Sequence, residues 1–204
     1  MKRAWNFLAI FLSISAAVAS DKDKGSFKPG PASSYETKQA QEKVTVAAVP
    51  YVNDDELRAA FGKKNPYQYG ILPVLVIVQN DSAKALRLDL KTEYVDPDGR
   101  HIDSVPASEL QYIAVAPKRN DVGGSIPLPT GPIGRGPKKN PLSGWEIEGR
   151  AFSARMLPPG ESVSGFFYFR ARPAPGASLY LTGIHEASSG REFFYFEIPL
   201  TARK

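Results

Sequence analysis

The sequence predicts an all-β domain built from two packed sheets, and three stretches of the chain support this fold class. Residues 157–169 begin with a Leu-Pro-Pro-Gly-Glu turn and continue as a strand with aromatic side chains on both faces. Residues 71–78 form an almost continuous apolar run, which is typical of a strand buried on both faces. Residues 85–95 alternate apolar and charged side chains, as in a strand with one solvated face. A strand covered on both faces requires a second layer, so we expect a β-sandwich.

The first 42 residues are predicted to lie outside this domain. A basic start, an apolar run and a small-residue Ala-Val-Ala end make residues 1–19 resemble a signal peptide cleaved after Ala19. An uncleaved membrane anchor is the alternative, although the apolar run is shorter than the about 20 residues that a span needs. Residues 20–42 are charged and contain Pro, Gly and Ser, which predicts a flexible leader. We therefore expect an exported protein, periplasmic or extracellular.

The domain itself is predicted to occupy residues 43–204, and it begins with a strand and one short helix. Residues 43–49 alternate well enough for a first strand. The helix should cover residues 53–61, because Asn53 is a good N-cap residue and Glu56 follows it three positions later, as in a capping box. Gly62 is placed to end this helix.

The next strands are separated by short turns. Residues 71–78 and 85–95 are joined by an Asn-Asp-Ser turn at 80–82. An Asp-Pro-Asp-Gly turn at 96–99 leads into a return strand over 100–105, because proline presets the second turn position and glycine accepts positive φ.

A long irregular loop interrupts the pattern at residues 117–145. Its many prolines and glycines exclude a regular element, and loops of this length are usually functional or disordered. It carries five basic residues that we take as candidate contacts for an anionic partner: Lys118, Arg119, Arg135, Lys138 and Lys139. An envelope polymer, a lipid head group or an acidic protein face would all suit them. A solvated loop kept soluble by its charges explains the same residues.

The C-terminal part completes a sandwich of about seven strands. A short helical piece is predicted around residues 145–155. In the strand that follows the Leu-Pro-Pro-Gly-Glu turn, alternation divides the side chains between two faces: Val163, Gly165, Phe167 and Phe169 on one, Phe166 and Tyr168 on the other. Residues 178–184 and 192–200 should form the last two strands, with a turn at 188–190.

Two of these stretches resemble immunoglobulin-like domains of bacterial exported proteins. Residues 74–90 are similar to the strand, Asn-x-Ser, strand hairpin of that group. Residues 157–169 are similar to its Leu-x-Pro-Gly-Glu strand entry. The resemblance covers about residues 43–200 apart from the long loop, and it implies an immunoglobulin-like β-sandwich. It carries no catalytic residues, and the Cys pair of true immunoglobulin domains is absent from this chain.

Composition restricts the function classes. The 204-residue chain has no cysteine, so it contains neither disulfides nor the lipid-bearing Cys of a bacterial lipoprotein. The net charge is +5, and removal of residues 1–19 takes away two cations and no acid, which leaves +3. This charge is too small to indicate a nucleic-acid partner.

The motifs for catalysis and metal binding are incomplete. His101 and His185 are the only histidines, too few for a usual transition-metal site. The Asp residues near the 96–99 turn lack the spacing of a calcium loop. Residues 160–165 lack the glycine and the following helix of a nucleophile elbow. Residues 131–139 have a proline where a phosphate loop needs its lysine. We therefore expect neither an enzyme nor a cofactor or metal site.

Four aromatic residues are candidates for a groove that binds sugar or peptide: Tyr67, Tyr69, Tyr112 and Trp145. Aromatic side chains are enriched where ligands and partners dock, but core packing explains such residues equally well. The sequence thus predicts a non-catalytic binding or scaffolding module of the bacterial envelope, whose partner is an envelope protein or an anionic polymer. The alternatives are an envelope assembly factor that pairs an exposed edge strand with clients, or a hydrolase with an unrecognised site.

Overall fold

The computed structural model describes residues 27–113 and 140–201, and in these ranges the protein is mostly β-strand. The nine strands are β1 (Lys38–Gln41), β2 (Val44–Pro50), β3 (Leu72–Asn80), β4 (Leu86–Val95), β5 (His101–Val105), β6 (Met156–Leu157), β7 (Ser162–Phe169), β8 (Ser178–Glu186) and β9 (Phe196–Pro199). The two helices are α1 (Asp54–Phe61) and α2 (Trp145–Glu148), and single 3₁₀ turns cover Ala32–Ser34, Pro66–Tyr69 and Ala107–Tyr112. The predicted all-β class is confirmed.

All strand pairs are antiparallel, and together they form one sheet that nearly closes on itself. The strand order is β1-β2-β3-β7-β5-β4-β8-β9, and β6 pairs with β4 outside this path. β5 links the two halves, because it pairs with both β4 and β7. At the open side, the Gln41 side chain donates to the carbonyl of Tyr195 (2.9 Å), and the Glu197 amide donates to the Gln39 side chain (2.7 Å). Side chains therefore bridge the two end strands.

Two apolar cores lie on opposite faces of β2, β3 and β7. The first core packs these strands against β4, β8 and β9, and its members include Val74, Phe169, Leu88, Leu181 and Ile198. The second core packs the same strands against the helices, and its members include Leu75, Phe166, Tyr168, Phe61 and Ile147. The predicted division of the β7 side chains between two faces is confirmed. β3 is buried along almost its whole length, as its apolar run predicts.

Helix α1 covers the second core and begins as the sequence indicates. The Asn53 side chain accepts a hydrogen bond from the Asp55 amide (2.9 Å), one residue earlier than in a capping box. Gly62 has a φ of 63° and ends the helix, as predicted. Leu57 and Phe61 are buried in the second core, which fixes the helix against β3 and β7.

The described part of the segment predicted as a flexible leader is folded, so the prediction is wrong for that part. Residues 27–42 belong to the folded unit: Phe27 contacts the rings of Tyr51 and Phe166, and β1 pairs with β2. An edge strand at β2 would otherwise leave its backbone groups unpaired, and β1 satisfies them. The predicted signal peptide, residues 1–19, and residues 20–26 lie outside the described residues.

The segment that follows α2 is extended rather than helical up to residue 155. Arg150 and Phe152 form backbone hydrogen bonds with Phe166 of β7, at 2.8 and 3.1 Å. Gly165 allows this approach, because a Cβ there would lie 2.4 Å from the Phe152 Cα. The last strand is also shorter than predicted. Within residues 27–113 and 140–201, no helix is both long enough and apolar enough to cross a membrane.

Candidate binding cleft

A cleft of about 490 Å³ opens where β5, the end of β7 and the Ala107–Tyr112 turn meet. It is lined by Val105, Glu109, Tyr112, Ile113 and Arg170. The pairing of β5 with β7, in which Val105 lies opposite Tyr168 and Ser104 opposite Phe169, positions Val105 at this cleft. The chain leaves the sheet after Phe169, so the next side chain, Arg170, extends into the opening.

A second depression, of about 440 Å³, adjoins the first and shares Arg170 with it. Its lining includes Asp96, Asp98, Arg100, Ile102 and Arg172. We refer to the two depressions together as the arginine cleft. Arg170 and Arg172 stand at alternate positions just after β7, and both side chains line the second depression.

Arg170 and Arg172 are exposed, and neither guanidinium forms an ion pair with a carboxylate of the described residues. Arg100 is different, because its guanidinium lies 2.7 Å from Asp96 and 3.7 Å from Asp98. A guanidinium without a carboxylate partner keeps all its donors available for a ligand. Arg170 and Arg172 are therefore the groups in this cleft best able to bind an anion.

The backbone at this site is fixed by a buried tyrosine. The Tyr94 hydroxyl donates a hydrogen bond to the carbonyl of Arg172 (2.8 Å). Burial raises the pKa of Tyr94, which keeps the hydroxyl protonated as a donor. The loop carrying both arginines is thereby tied to β4 of the opposite half of the sheet.

Asp96 serves the turn at 96–99 rather than the open cleft. Its side chain accepts hydrogen bonds from the amides of Arg100 (2.9 Å) and Asp98 (3.0 Å) and from the Arg100 guanidinium (2.7 Å). These bonds, chiefly that from the Arg100 amide, lower the pKa of the Asp96 carboxyl. The predicted β-turn is confirmed, with Gly99 at a φ of 78°. In the described parts of the chain, no three His, Asp or Glu side chains are grouped to hold a metal ion.

The four candidate groove aromatics occupy different environments. Tyr112 lines the arginine cleft and is 79% exposed, and Trp145 is 72% exposed at the start of α2. Their elements are adjacent, since α2 packs against the Ala107–Tyr112 turn and the Asn140 side chain donates to the Gln111 carbonyl. Tyr67 and Tyr69 are half-buried instead. Tyr67 packs against both cores and Tyr69 against the second, so packing accounts for them.

The five basic residues of the long loop all fall outside the described residues. Ile113, the last described residue before them, lines the arginine cleft. Sequence reasoning did not single out Arg170 and Arg172. The only signal was their alternate spacing directly after a strand end, which many surface arginines share.

A second charged cluster connects the β1–β2 and β3–β4 turns to β8 and the chain after it, and it lines a small depression of about 200 Å³. Lys84 lies 2.6 Å from Glu186, and Arg191 lies 2.6 Å from Glu42. Hydrogen bonds from Lys84 and Ser188 lower the pKa of Glu186, whose side chain is largely buried. Because these charges are mutually satisfied, the cluster is a structural tie.

Comparison with known proteins adds no evidence about the function of this cleft. No family model and no curated protein matches the chain. Among solved structures, the crystal structure of a Bordetella pertussis protein assigned the name ApaA shares 12% sequence identity with it. The match covers 77% of this chain and 93% of that one, with a TM-score of 0.33. A likeness this weak carries no argument about either fold family or activity.

Proposed function

We propose that this chain is a non-catalytic binding or scaffolding module of the bacterial envelope, exported by cleavage after Ala19. We further propose that it binds an anionic group of its partner at the arginine cleft. The observation that carries this proposal is the pair of exposed arginines, Arg170 and Arg172, which line one cleft without a carboxylate partner among the described residues.

Guanidinium chemistry supports an anionic ligand. Arginine donates two parallel hydrogen bonds to a carboxylate or phosphate, and such charge-assisted bonds are stronger than neutral ones. Tyr112 adds an exposed ring beside Arg170. Glu109 and Asp98 also line the cleft, so a polymer that is anionic along its whole length would be repelled by these two carboxylates. A partner that presents a localised anionic group fits this mixture better.

The proposed architecture is an immunoglobulin-like sandwich, with β1, β2, β3 and β7 in one layer and β4, β8 and β9 in the other. The first core, which lies between these layers, supports the assignment. In such domains the strands hold the loops in place and the loops carry the contacts. The arginine cleft lies at an end of this arrangement, where β7 leaves the sheet.

The strand-addition alternative has weaker support. Its requirement is a free edge strand, but Gln39 and Gln41 of β1 bond to the backbone beside and within β9. These contacts occupy part of both edges. The hydrolase alternative has no specific observation in its favour.

Retention on solubilised envelope fractions at low and high salt tests the proposed ligand. The mature chain, residues 20–204, should be retained at low salt and released at high salt, because exposed ionic contacts are screened. The Arg170→Ser/Arg172→Ser variant should lose most of this retention. Arg58→Ser/Lys63→Ser removes the same charge at exposed positions around the end of α1 and is the matched control. If the cleft variant and the wild type are retained equally, the proposal that the arginine cleft binds the anionic group is wrong.

Export has a separate test. The protein recovered from envelope fractions should begin at Ser20 when its N-terminus is sequenced. A cytosolic protein that still begins at Met1 would contradict export. The retention experiment would still test binding at the arginine cleft, because it does not depend on export.

A further inference from the structure

We propose that two copies of this chain form a dimer by exchanging residues 27–41, which we call the N-terminal arm and which include β1. In the exchanged dimer, the arm of each copy pairs with β2 of the other copy, and residues 42–43 are the hinge. None of these residues lines the arginine cleft, so the inference goes beyond the function proposed above and does not depend on it.

The hinge is a two-residue turn with a strained backbone. Gln41 pairs with Val44, so only Glu42 and Lys43 reverse the chain between β1 and β2. Their φ angles are 45° and 67°, in the left-handed region that such a turn requires and that Asn-Gly adopts with least strain. Every other positive-φ position of the described residues is a glycine. The closed turn therefore holds two adjacent non-glycine residues in an unfavourable conformation.

The contacts that hold the N-terminal arm are made with the chain after the hinge. β1 pairs with β2, and the Tyr35 side chain is buried in the second core. The Phe27 ring packs on Tyr51 and Phe166, with centroids 6.0 and 5.6 Å away. The Arg150 guanidinium lies over the same ring at 4.9 Å. A second copy presents the same groups in the same arrangement, so exchange keeps these contacts and changes only the turn.

On its other side, the N-terminal arm has no strand partner to break. β1 and β9 are the two ends of the strand order, and no backbone pairing joins them in the described chain. Side chains bridge them instead, through Gln39 and Gln41. Next to them, Glu42 and Arg191 form an ion pair at 2.6 Å between two exposed groups, and such pairs contribute little to stability. The pairing with β2 is thus the only strand pairing that the arm has to exchange.

Strain at the hinge favours the dimer, whereas the loss of free movement on association favours the monomer. In the exchanged dimer residues 42–43 become extended, a conformation that glutamate and lysine adopt without strain. Because the dimer has two hinges, the relief counts twice. A short hinge under strain is typical of segments that exchange between copies. We therefore expect the exchanged dimer to accumulate as the protein concentration rises.

Refolding of two single-cysteine variants together tests the exchange directly, because the chain itself has no cysteine. Ala40 and Thr45 lie opposite each other in the β1–β2 pair, at a spacing that suits a disulfide. Mature chains that carry either Ala40→Cys or Thr45→Cys are mixed in urea, refolded at high protein concentration and oxidised. The mixture should give a covalent dimer, and neither variant alone should do so. Glu93→Cys mixed with Asp103→Cys is the matched control, because this pair joins β4 to β5, which are not exchanged.

Substitutions at Lys43 test the hinge. Lys43 is exposed and forms no ion pair with the described residues, so its replacement leaves the Glu42–Arg191 pair in place. Lys43→Gly relieves the closed turn and should weaken the dimer. Lys43→Val should strengthen it, because a β-branched residue strongly disfavours the left-handed region. Both variants lose the same charge. Their dimer dissociation constants, measured by light scattering over a concentration series, should differ by about tenfold or more.

The outcomes that contradict the exchange are specific. Equal amounts of covalent dimer in the 40/45 mixture and in the 93/103 control, including none in both, would overturn the proposal. So would equal dissociation constants for Lys43→Gly and Lys43→Val. If Lys43→Val fails to fold by circular dichroism, the comparison of Lys43→Gly with the wild type decides. Arg170→Ser/Arg172→Ser should dimerise like the wild type, and loss of the dimer in that variant would assign the contact to the arginine cleft instead.

Discussion

Asn80 joins the two stretches on which the resemblance to exported bacterial domains depends. Its side chain is fully buried, and its amide donates to the carbonyls of Lys84 (2.8 Å), Pro158 (3.1 Å) and Leu157 (3.2 Å). Its side-chain oxygen accepts from the Ser82 hydroxyl (2.6 Å) and amide (3.1 Å). The Asn-x-Ser turn and the Leu-x-Pro-Gly-Glu turn are therefore one hydrogen-bonded unit. A glycan on Asn80 is incompatible with this burial.

Asn80→Ala should destabilise the domain by about 2–4 kcal/mol, because it removes a fully buried side-chain amide that donates to three carbonyls, one of them, that of Leu157, in a buried contact. Asn80→Asp should cost at least as much at neutral pH, since a carboxylate would face those carbonyl oxygens. Its cost should shrink at low pH, where the protonated carboxyl can donate. Urea unfolding at several pH values measures both effects. The exposed helix cap Asn53→Ala, worth about 1 kcal/mol, is the control, and an equal loss at both positions would contradict the prediction.

At the candidate site, the sequence revealed the aromatic residue but not the arginines. Tyr112 was a candidate because aromatic side chains are enriched where ligands and partners dock. Arg170 and Arg172 have no such signal, because an arginine after a strand is usually an ordinary surface charge. What distinguishes them is the lack of a carboxylate partner in the described chain, and that property depends on long-range folding.

Among the elements, the strands with an apolar run or an alternating pattern could be predicted from the sequence, whereas the strands without such a pattern could not. β3, β4 and β7 and the capped helix α1 lie close to their predicted positions. β1 has the sequence Lys-Gln-Ala-Gln, with no apolar alternation, and it is a strand because it satisfies the edge of β2. β6 has two residues and pairs only with β4. The sequence also indicated that β7 is covered on both faces, but not that α1, α2 and Phe27 cover the second.

The bulge between β4 and β8 was also not predicted, and one glycine makes it possible. The register shifts between Leu88 and Lys91. Opposite this shift, Gly183 has a φ of 87°, and a Cβ there would lie 2.1 Å from the Asp89 carbonyl oxygen. A bulge at this point re-aims the side chains of β4, and it requires a residue without a Cβ.

Gly183→Ala should therefore cost about 3–5 kcal/mol, from both backbone strain and the clash with β4. Gly99→Ala provides a matched control, because Gly99 has a similar φ of 78° but nothing within 4 Å of its Cβ position. It should cost only about 1–2 kcal/mol. Thermal and urea unfolding of the two variants separate strain from steric exclusion. Similar losses would show that close packing of β4 on β8 is not what requires the glycine.

For the whole molecule, the layers explain why residues 27–42 fold with the domain. The Phe27 and Tyr35 side chains pack in the second core. The Gln39 and Gln41 side chains of β1 form hydrogen bonds with the backbone of Glu197 and Tyr195. Composition alone cannot reveal this, because a segment with few apolar residues is stabilised here by surfaces that belong to distant parts of the chain. The N-terminal segment thereby brings together the first and last strands of the sheet.

A chain that begins at Lys43 should accordingly be less stable than one that begins at Phe27, by about 3 kcal/mol or more, because it loses the burial of two aromatic side chains and a whole strand. It should also self-associate, since β2 becomes an uncovered edge next to an unbridged β9. Urea unfolding and size-exclusion chromatography measure the two effects. Gln39→Ala/Gln41→Ala in the longer chain keeps β1 but removes its side-chain bonds to the β9 region. This variant therefore distinguishes the contribution of those bonds from that of the β1–β2 strand pairing. If the chains beginning at 27 and 43 unfold at the same urea concentration and elute as the same species, residues 27–42 are a flexible leader after all, and the closure by β1 contributes nothing.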